Sequence, residues 1–139
     1  MGVVVKLNIL EEFPQELLYI DVKEVHELLN GPTLFHLKGE RDDALFLSTL
    51  LHANEITSFL MLQKLIKKYA NKPLPRDLII FIGNTYAASE GMRHLPGQAD
   101  YNRIWEPGDL PENKMAMDII DDAKSQNIFA SIDIHNNTG

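Results

Sequence analysis

The 139-residue sequence contains no cysteine, and this absence excludes a disulfide framework and any metal site built on thiolates. It also lacks an apolar run near the roughly 20 residues of a membrane span. Its start has neither the basic residues nor the small-residue cleavage site of a signal peptide. Basic residues are in the minority, and the net charge of −7 argues against a nucleic-acid-binding surface. We therefore expect a cytoplasmic protein that binds neither membranes nor nucleic acid.

The composition, with 45% hydrophobic and 24% charged residues, is typical of a globular chain that buries a core. We predict a single domain over residues 1–139, with a lead-in segment over 1–32 and the functional core over 33–139. The lead-in has a weak strand pattern over 3–9 and a turn over 11–16. A short helix is predicted over 22–29, because Asp21 and Glu24 form a capping-box pattern before it and Asn30-Gly31-Pro32 is a strong stop signal after it.

Strand and helix patterns then alternate, which predicts an α/β fold. Residues 44–51 are apolar almost throughout, as expected of a central strand covered on both faces. The short charged turn between them and the β-prone residues 33–37 suggests that these two strands pair antiparallel. The other predicted elements are a helix over 56–69, a buried strand over 77–83, a helix over 112–125 and a third buried strand over 128–134. This order predicts a mixed, mostly parallel sheet flanked by helices.

Residues 84–111 show little periodicity, and a loop of that length inside a compact domain is usually functional when it is ordered. In open α/β sheets, ligands bind beyond the carboxyl ends of the parallel strands. His52, Asn84 and His135 each follow directly after a predicted strand. These polar residues are therefore expected at one edge of the sheet.

A catalytic zinc site needs three nitrogen or oxygen ligands and one open position. Glu55 lies three residues after His52, where a strand end and a first helical turn can direct both side chains to one ion. His135 would come from a second strand at the same edge. We predict one zinc ion per chain, held by His52, Glu55 and His135. Considered singly, each residue has a simpler explanation as a strand-end histidine or as an acid at a helix start.

The chain also contains a longer ordered set of short motifs: His52-Ala53-Asn54-Glu55, Gly83-Asn84, Arg93, Asp100-Tyr101-Asn102-Arg103 and Asp133-Ile134-His135-Asn136-Asn137-Thr138. This set resembles the zinc carboxypeptidase superfamily, and most closely its succinylglutamate desuccinylase/aspartoacylase branch. The resemblance covers residues 33–139. One departure is the step from Arg93 to Asp100, which is slightly longer here because Pro96-Gly97 is inserted.

The resemblance implies roles for three residues on the substrate side of the site. Arg93 would be catalytic, polarising the scissile carbonyl and stabilising the oxyanion. Asn102 and Arg103 would bind the substrate carboxylate, with arginine as a two-pronged donor. For each arginine taken alone, a surface salt bridge is the simpler explanation.

It also implies residues that support the metal ligands from behind. Asp100 would orient His52, and Asp133 would support His135. An ion pair between Asp133 and an arginine is an equal alternative. Asn84, at the end of its strand, is placed in the same supporting set.

The resemblance implies a zinc-dependent hydrolase that cleaves an amide bond next to a carboxylate, acting on a small anionic N-acyl amino acid. A zinc carboxypeptidase acting on peptide C-termini is the alternative within the superfamily. The family's general base is a glutamate well downstream of the third ligand, and none of the twenty acidic residues here is placed to replace it. We therefore expect the base beyond Gly139 and this chain to be the N-terminal part of a catalytic domain.

Two alternatives come from other classes. One is a non-catalytic module that binds zinc and a carboxylate, which the missing base favours. The other is a plain structural α/β domain in which the histidines are incidental. Metal content discriminates the latter from the zinc-binding alternatives. The sequence predicts no oligomeric state.

Overall fold

The computed structural model describes residues 5–136, and these form a mixed sheet with helices packed on both faces. The sheet has five strands in the order β1-β2-β4-β3-β5. They are β1 Asn8–Leu10, β2 Thr33–Leu37, β3 Ala44–Thr49, β4 Leu78–Ile82 and β5 Ile128–Asp133. The α-helices are α1 Val25–Leu29, α2 Thr57–Lys68, α3 Thr85–Ser89 and α4 Pro111–Lys124. The predicted α/β fold with a mostly parallel sheet is confirmed.

The centre of the sheet is β4, whose five residues are all buried. It pairs parallel with β3 and antiparallel with β2, each over five residue pairs. The predicted antiparallel pairing of β2 with β3 is therefore wrong, because β4 lies between them. A central position, with a neighbouring strand on each side, exposes the least apolar surface of β4 to water. The five residues of β4 also pair along their full length with both partners.

Each face of the sheet has its own hydrophobic core. On one face, Phe59 and Leu62 of α2 pack with Leu47 and Ile80. On the other, Met115, Ala116 and Ile119 of α4 pack with Phe46, Ile79 and Phe81. Full burial of such a side chain contributes roughly 1.5–3 kcal/mol, so these two helices fix the layers around the central strands.

The lead-in segment joins the same core, since Leu17 and Val25 are fully buried in the cluster under α2. The predicted capping box is confirmed: the Lys23 N–H donates to Asp21 Oδ1, and the Asp21 N–H donates to Glu24 Oε2. The predicted helix begins as a 3-10 turn, Val22–Glu24, and continues as α1. The first strand is predicted over 3–9, but residues 5–7 are irregular and the strand, β1, begins only at Asn8; residues 3 and 4 lie outside the described chain.

Strand β5 differs from its prediction as a buried strand. Phe129 is 63% exposed and Ile132 is 46% exposed. Among the described residues β5 is an edge strand that pairs only with β3. A strand with a neighbour on one side has fewer contacts with the rest of the sheet, so more of its side-chain surface stays accessible.

The stretch predicted to lack periodicity contains one short helix, α3, and is otherwise irregular up to α4. Across residues 5–136, none of the helices combines the length and the apolar character that crossing a membrane requires.

Candidate metal centre

A strained turn at the end of β3 leads into the site. Leu50 has a φ of 53°, a left-handed conformation that is unfavourable for a residue with a side chain. Two hydrogen bonds hold it: its N–H donates to Ser58 Oγ at 3.2 Å, and its carbonyl accepts from the Asn84 N–H at 2.9 Å. A Cβ on Gly83 would lie 3.1 Å from the same Leu50 carbonyl oxygen, so the glycine lets the ends of β3 and β4 approach closely.

Immediately after this turn, His52 and Glu55 meet His135, which lies 80 residues further along the chain. Glu55 Oε2 is 3.2 Å from His52 Nδ1 and 2.8 Å from His135 Nδ1. One ligand atom from each of the three residues lies within 4.8 Å of the others. His52 and Glu55 are buried and His135 is partly exposed. The fold thus brings together the three residues that the sequence selects as metal ligands.

An aspartate stands behind each histidine. His52 Nε2 lies 3.0 Å from Asp100 Oδ1, and His135 Nε2 lies 2.9 Å from Asp133 Oδ2. Glu55 faces each Nδ1 as well, and because an ionised carboxylate only accepts hydrogen bonds, a singly protonated imidazole can donate to only one of its two carboxylates; the tautomer that suits a metal at Nδ1 carries its proton on Nε2. Each Nδ1 is then a lone-pair acceptor directed at Glu55, itself an acceptor.

In this tautomer three acceptors converge, and a cation between them would satisfy all three. Two imidazole nitrogens and one carboxylate oxygen are a donor set that suits zinc. Histidines whose second nitrogen donates to a carboxylate are the usual arrangement around a protein-bound metal. The group of His52, Glu55 and His135 could therefore hold a metal ion, and its supporting hydrogen bonds fit that use.

The ionisation of the neighbouring groups agrees with this arrangement. Burial alone would raise the pKa of Asp100, but the hydrogen bond from the Asn102 N–H and the nearby His52 and Arg93 charges outweigh burial and lower its pKa. Burial lowers the pKa of His135, but its contacts to Glu55 and Asp133 outweigh burial and raise its pKa. A proton is thus the competing cation at the centre, and metal binding would displace it.

Arg93 borders the group. Its Nη2 lies 3.2 Å from His52 Nε2 and 4.0 Å from an oxygen of Asp100. A guanidinium only donates hydrogen bonds, so the Arg93 contact needs a lone pair on His52 Nε2, whereas the Asp100 contact needs a proton there; the Arg93 side chain is 50% exposed. Its carbonyl accepts from the Ala53 N–H at 3.0 Å, which ties this loop to the turn that carries His52.

Asn102 and Arg103 lie on the exposed turn that follows Asp100. The Asn102 N–H donates to Asp100 Oδ1 and the Arg103 N–H to the Asp100 carbonyl, both at 2.9 Å. Within the described chain, neither side chain forms a hydrogen bond or an ion pair. Both remain available for a ligand, and their role in binding a carboxylate stays a prediction.

Asn84 is fully buried, but its contacts go elsewhere than to the grouped ligands. Its Oδ1 accepts from the Ala87 N–H at 3.1 Å as the N-cap of α3, and its Nδ2 donates to Gln98 Oε1 at 2.8 Å. The Gln98 oxygen also accepts from the Leu95 N–H. Asn84 therefore anchors the segment between Arg93 and Asp100. Nothing in the sequence pattern around Gln98 predicts its hydrogen bond to Asn84.

Ser48 is a second residue that the sequence analysis missed. Its Oγ donates to Asp133 Oδ1 at 2.9 Å, so Asp133 contacts Ser48 and His135 rather than an arginine. The signal that was available is the pair of hydroxyls, Ser48 and Thr49, at the end of a buried strand that is otherwise apolar, where a buried polar group needs a partner.

A family model described as the succinylglutamate desuccinylase/aspartoacylase catalytic domain matches residues 42–138, well over half of the chain. No curated protein and no solved structure matches this chain. The matched range starts just before β3 and includes His52, Glu55 and His135. The branch of the zinc carboxypeptidase superfamily indicated by the sequence motifs is thereby confirmed. This chain belongs to the succinylglutamate desuccinylase/aspartoacylase catalytic-domain family.

Proposed function

We propose that this chain carries the metal centre of a zinc-dependent hydrolase that cleaves an amide bond next to a carboxylate, in an N-acyl amino acid. The convergence of His52, Glu55 and His135, with both histidine Nε2 atoms held by aspartates, is the observation that carries the proposal. The family match supports a hydrolase of this group.

His52, Glu55 and His135 would hold the zinc through the two Nδ1 atoms and a Glu55 oxygen. When bound, zinc supplies Lewis-acid chemistry, polarising a carbonyl and making water more acidic. Arg93 remains charged at any physiological pH. Its guanidinium, 3.2 Å from His52 Nε2, would stabilise the negative charge that develops on the carbonyl oxygen during attack.

The proposed substrate is small and anionic. Arg103 offers an uncommitted guanidinium on the turn next to the centre, and a guanidinium matches a carboxylate with two parallel hydrogen bonds. Asn102, its neighbour on that turn, would add one amide donor. These two residues would select an amide that lies beside a carboxylate.

Proton transfer to the leaving amine needs a further carboxylate. Within residues 5–136, the carboxylates at the centre are Glu55, Asp100 and Asp133, and each contacts a histidine. We propose that the base comes from outside these residues. The same observation favours a second candidate function, a module that binds zinc and a carboxylate without hydrolysis.

The proposal is tested by zinc analysis of the 139-residue chain, and by hydrolysis of N-succinylglutamate compared with a C-terminal peptide using a longer chain that includes the region proposed to supply the base. We expect roughly one zinc per chain, lost in His52→Ala and His135→Ala. His94→Ala is the matched control, because within residues 5–136 the hydrogen bond of the His94 side chain goes to the Leu95 carbonyl and its removal should leave zinc bound.

Each outcome assigns the function. Release of the acyl group supports the deacylase, and cleavage of the peptide instead supports a carboxypeptidase. Zinc binding without hydrolysis of either compound supports the non-catalytic module. Absence of zinc from the unaltered chain would overturn all three assignments.

A further inference from the structure

Ser48 of β3 lies directly opposite Asp133 of β5 in the parallel pairing of these strands. Two hydrogen bonds join Ser48 to this part of β5: its hydroxyl donates to Asp133 Oδ1 at 2.9 Å, and its carbonyl accepts from the Ile134 N–H at 3.1 Å. Ser48 is only 5% exposed. A buried hydroxyl of the central sheet is therefore bonded to an aspartate on the edge strand.

The two oxygens of Asp133 have different partners. Oδ1 accepts from Ser48, and Oδ2 accepts from His135 Nε2 at 2.9 Å. The Asp133 side chain is 42% exposed, so packing alone does not fix its rotamer. The bond from Ser48 sets the plane of the carboxylate, and the carboxylate sets the His135 ring with Nδ1 toward Glu55 at 2.8 Å.

The other histidine is supported by a comparable arrangement. Asp100, behind His52, accepts a hydrogen bond from the backbone N–H of Asn102. A turn thus holds the Asp100 carboxylate, whereas β5 has no such turn at Asp133. The Ser48 side chain supplies the missing donor.

Ser48 also differs from its neighbour. The hydroxyl of Thr49 donates to the Phe81 carbonyl at 2.9 Å, a contact between strands with no link to the metal-binding group. The two residues are adjacent, buried and in one strand. Their hydroxyls therefore offer a matched pair, one directed to the centre and one to the backbone.

We propose that Ser48 is a positioning residue of the metal centre, acting through Asp133 to orient His135. Ser48 contacts no metal ligand itself, and the inference rests on the proposed zinc site. Replacing a residue that supports a metal ligand typically lowers metal affinity by about 10- to 100-fold. Since Ser48 acts one step further out, we expect Ser48→Ala to lower zinc affinity by about 3- to 10-fold.

The test measures zinc dissociation constants of the 139-residue chain by competition with a chromophoric chelator. The variants are Ser48→Ala, Asp133→Asn and the double variant, with Thr49→Val as control. If Ser48 acts through Asp133, then Ser48→Ala weakens zinc binding in the unaltered background but has no further effect beside Asp133→Asn. Thr49→Val should lower stability and leave zinc affinity unchanged.

An equal effect of Ser48→Ala in both backgrounds, or no effect in either, would overturn the role of Ser48 while leaving the zinc site standing. Failure of the unaltered chain to bind zinc would overturn both proposals. Should Ser48→Ala not fold, Ser48→Thr and Ser48→Val provide side chains of equal shape with and without the hydroxyl. The valine variant should then bind zinc more weakly, and equal affinities would refute the inference.

Discussion

Replacing Glu55 by glutamine separates the metal-binding role of this residue from its contribution to folding. In the wild-type chain one carboxylate oxygen lies within 3.2 Å of both Nδ1 atoms. An amide nitrogen at that position would have two N–H donors for two imidazole lone pairs. Glu55→Gln should therefore satisfy the metal-free centre while removing the only anionic ligand.

The substitution should change zinc affinity far more than it changes the stability of the metal-free chain. Structural zinc sites with four ligands contribute roughly 10–16 kcal/mol, or roughly 2.5–4 kcal/mol per ligand, so zinc affinity should fall by about 10²- to 10³-fold. The metal-free variant should unfold with a free energy within about 1 kcal/mol of wild type, since the new hydrogen bonds replace the old contacts.

The assay is urea unfolding with chelator present and again with excess zinc, at about pH 7.5, where ordinary histidines are mostly neutral and zinc stays in solution. Wild type should gain stability from zinc by mass action, and the glutamine variant should gain far less. A variant that is markedly less stable in chelator yet keeps its zinc-induced gain would refute the reasoning. Glu55 would then be a structural residue.

Three further predictions concern binding and stability. Arg103→Ala should weaken binding of N-succinylglutamate by about 10- to 100-fold, because one charge-assisted hydrogen-bond pair is lost. Calorimetry should show the weaker binding with zinc content unchanged. An unaltered affinity would refute the role of Arg103 in binding the carboxylate. Asp77→Asn should lower the free energy of unfolding at pH 7 by about 1–3 kcal/mol. Burial raises the pKa of Asp77, but hydrogen bonds from the Gly39 N–H and Lys38 outweigh it and lower the pKa below 3.8. The contribution of Asp77 to stability is therefore present above pH 3.8 and is lost as the pH falls through the pKa of the folded state. The free energies of unfolding of wild type and Asp77→Asn, measured with urea, should become equal at about pH 2. A difference that stays constant with pH would contradict this prediction. Tyr101→Phe should raise the free energy of unfolding by about 1–2 kcal/mol, because the buried Tyr101 hydroxyl lacks a hydrogen-bond partner among the described residues. Thermal unfolding measures this change. A loss of stability would indicate an unrecognised hydrogen-bond partner.

The elements of this fold follow from local sequence signals, but their arrangement in the sheet does not. The Asp21–Glu24 capping box and the apolar run of β4 depend on residues close in sequence, and the structure has both. Strand neighbours depend on contacts across the whole chain. The turn between β2 and β3 is short, yet the more apolar β4 takes the place between them.

The grouping of the candidate ligands could be predicted for a different reason. His52 and Glu55 are neighbours on one turn, and His135 follows a strand parallel to β3, so parallel pairing brings its end to the same edge. Burial of β5 and the contacts of Asn84 could not be predicted in this way. Burial depends on what covers the edge of a sheet, and a buried amide has many equivalent partners.

The position of His135 after the edge strand has a consequence for hydrogen exchange. In the proposed zinc-bound state the ion would join Glu55 to His135 and so close a loop of about 80 residues. Closing this loop reduces the number of open conformations available to the chain. The amides of β5 exchange through local opening of a strand that has one neighbour, and opening would require the ion to leave His135. Added zinc should thus slow exchange in β5 more than in the already enclosed β4, because the ion would tie this edge strand to the turn that carries His52.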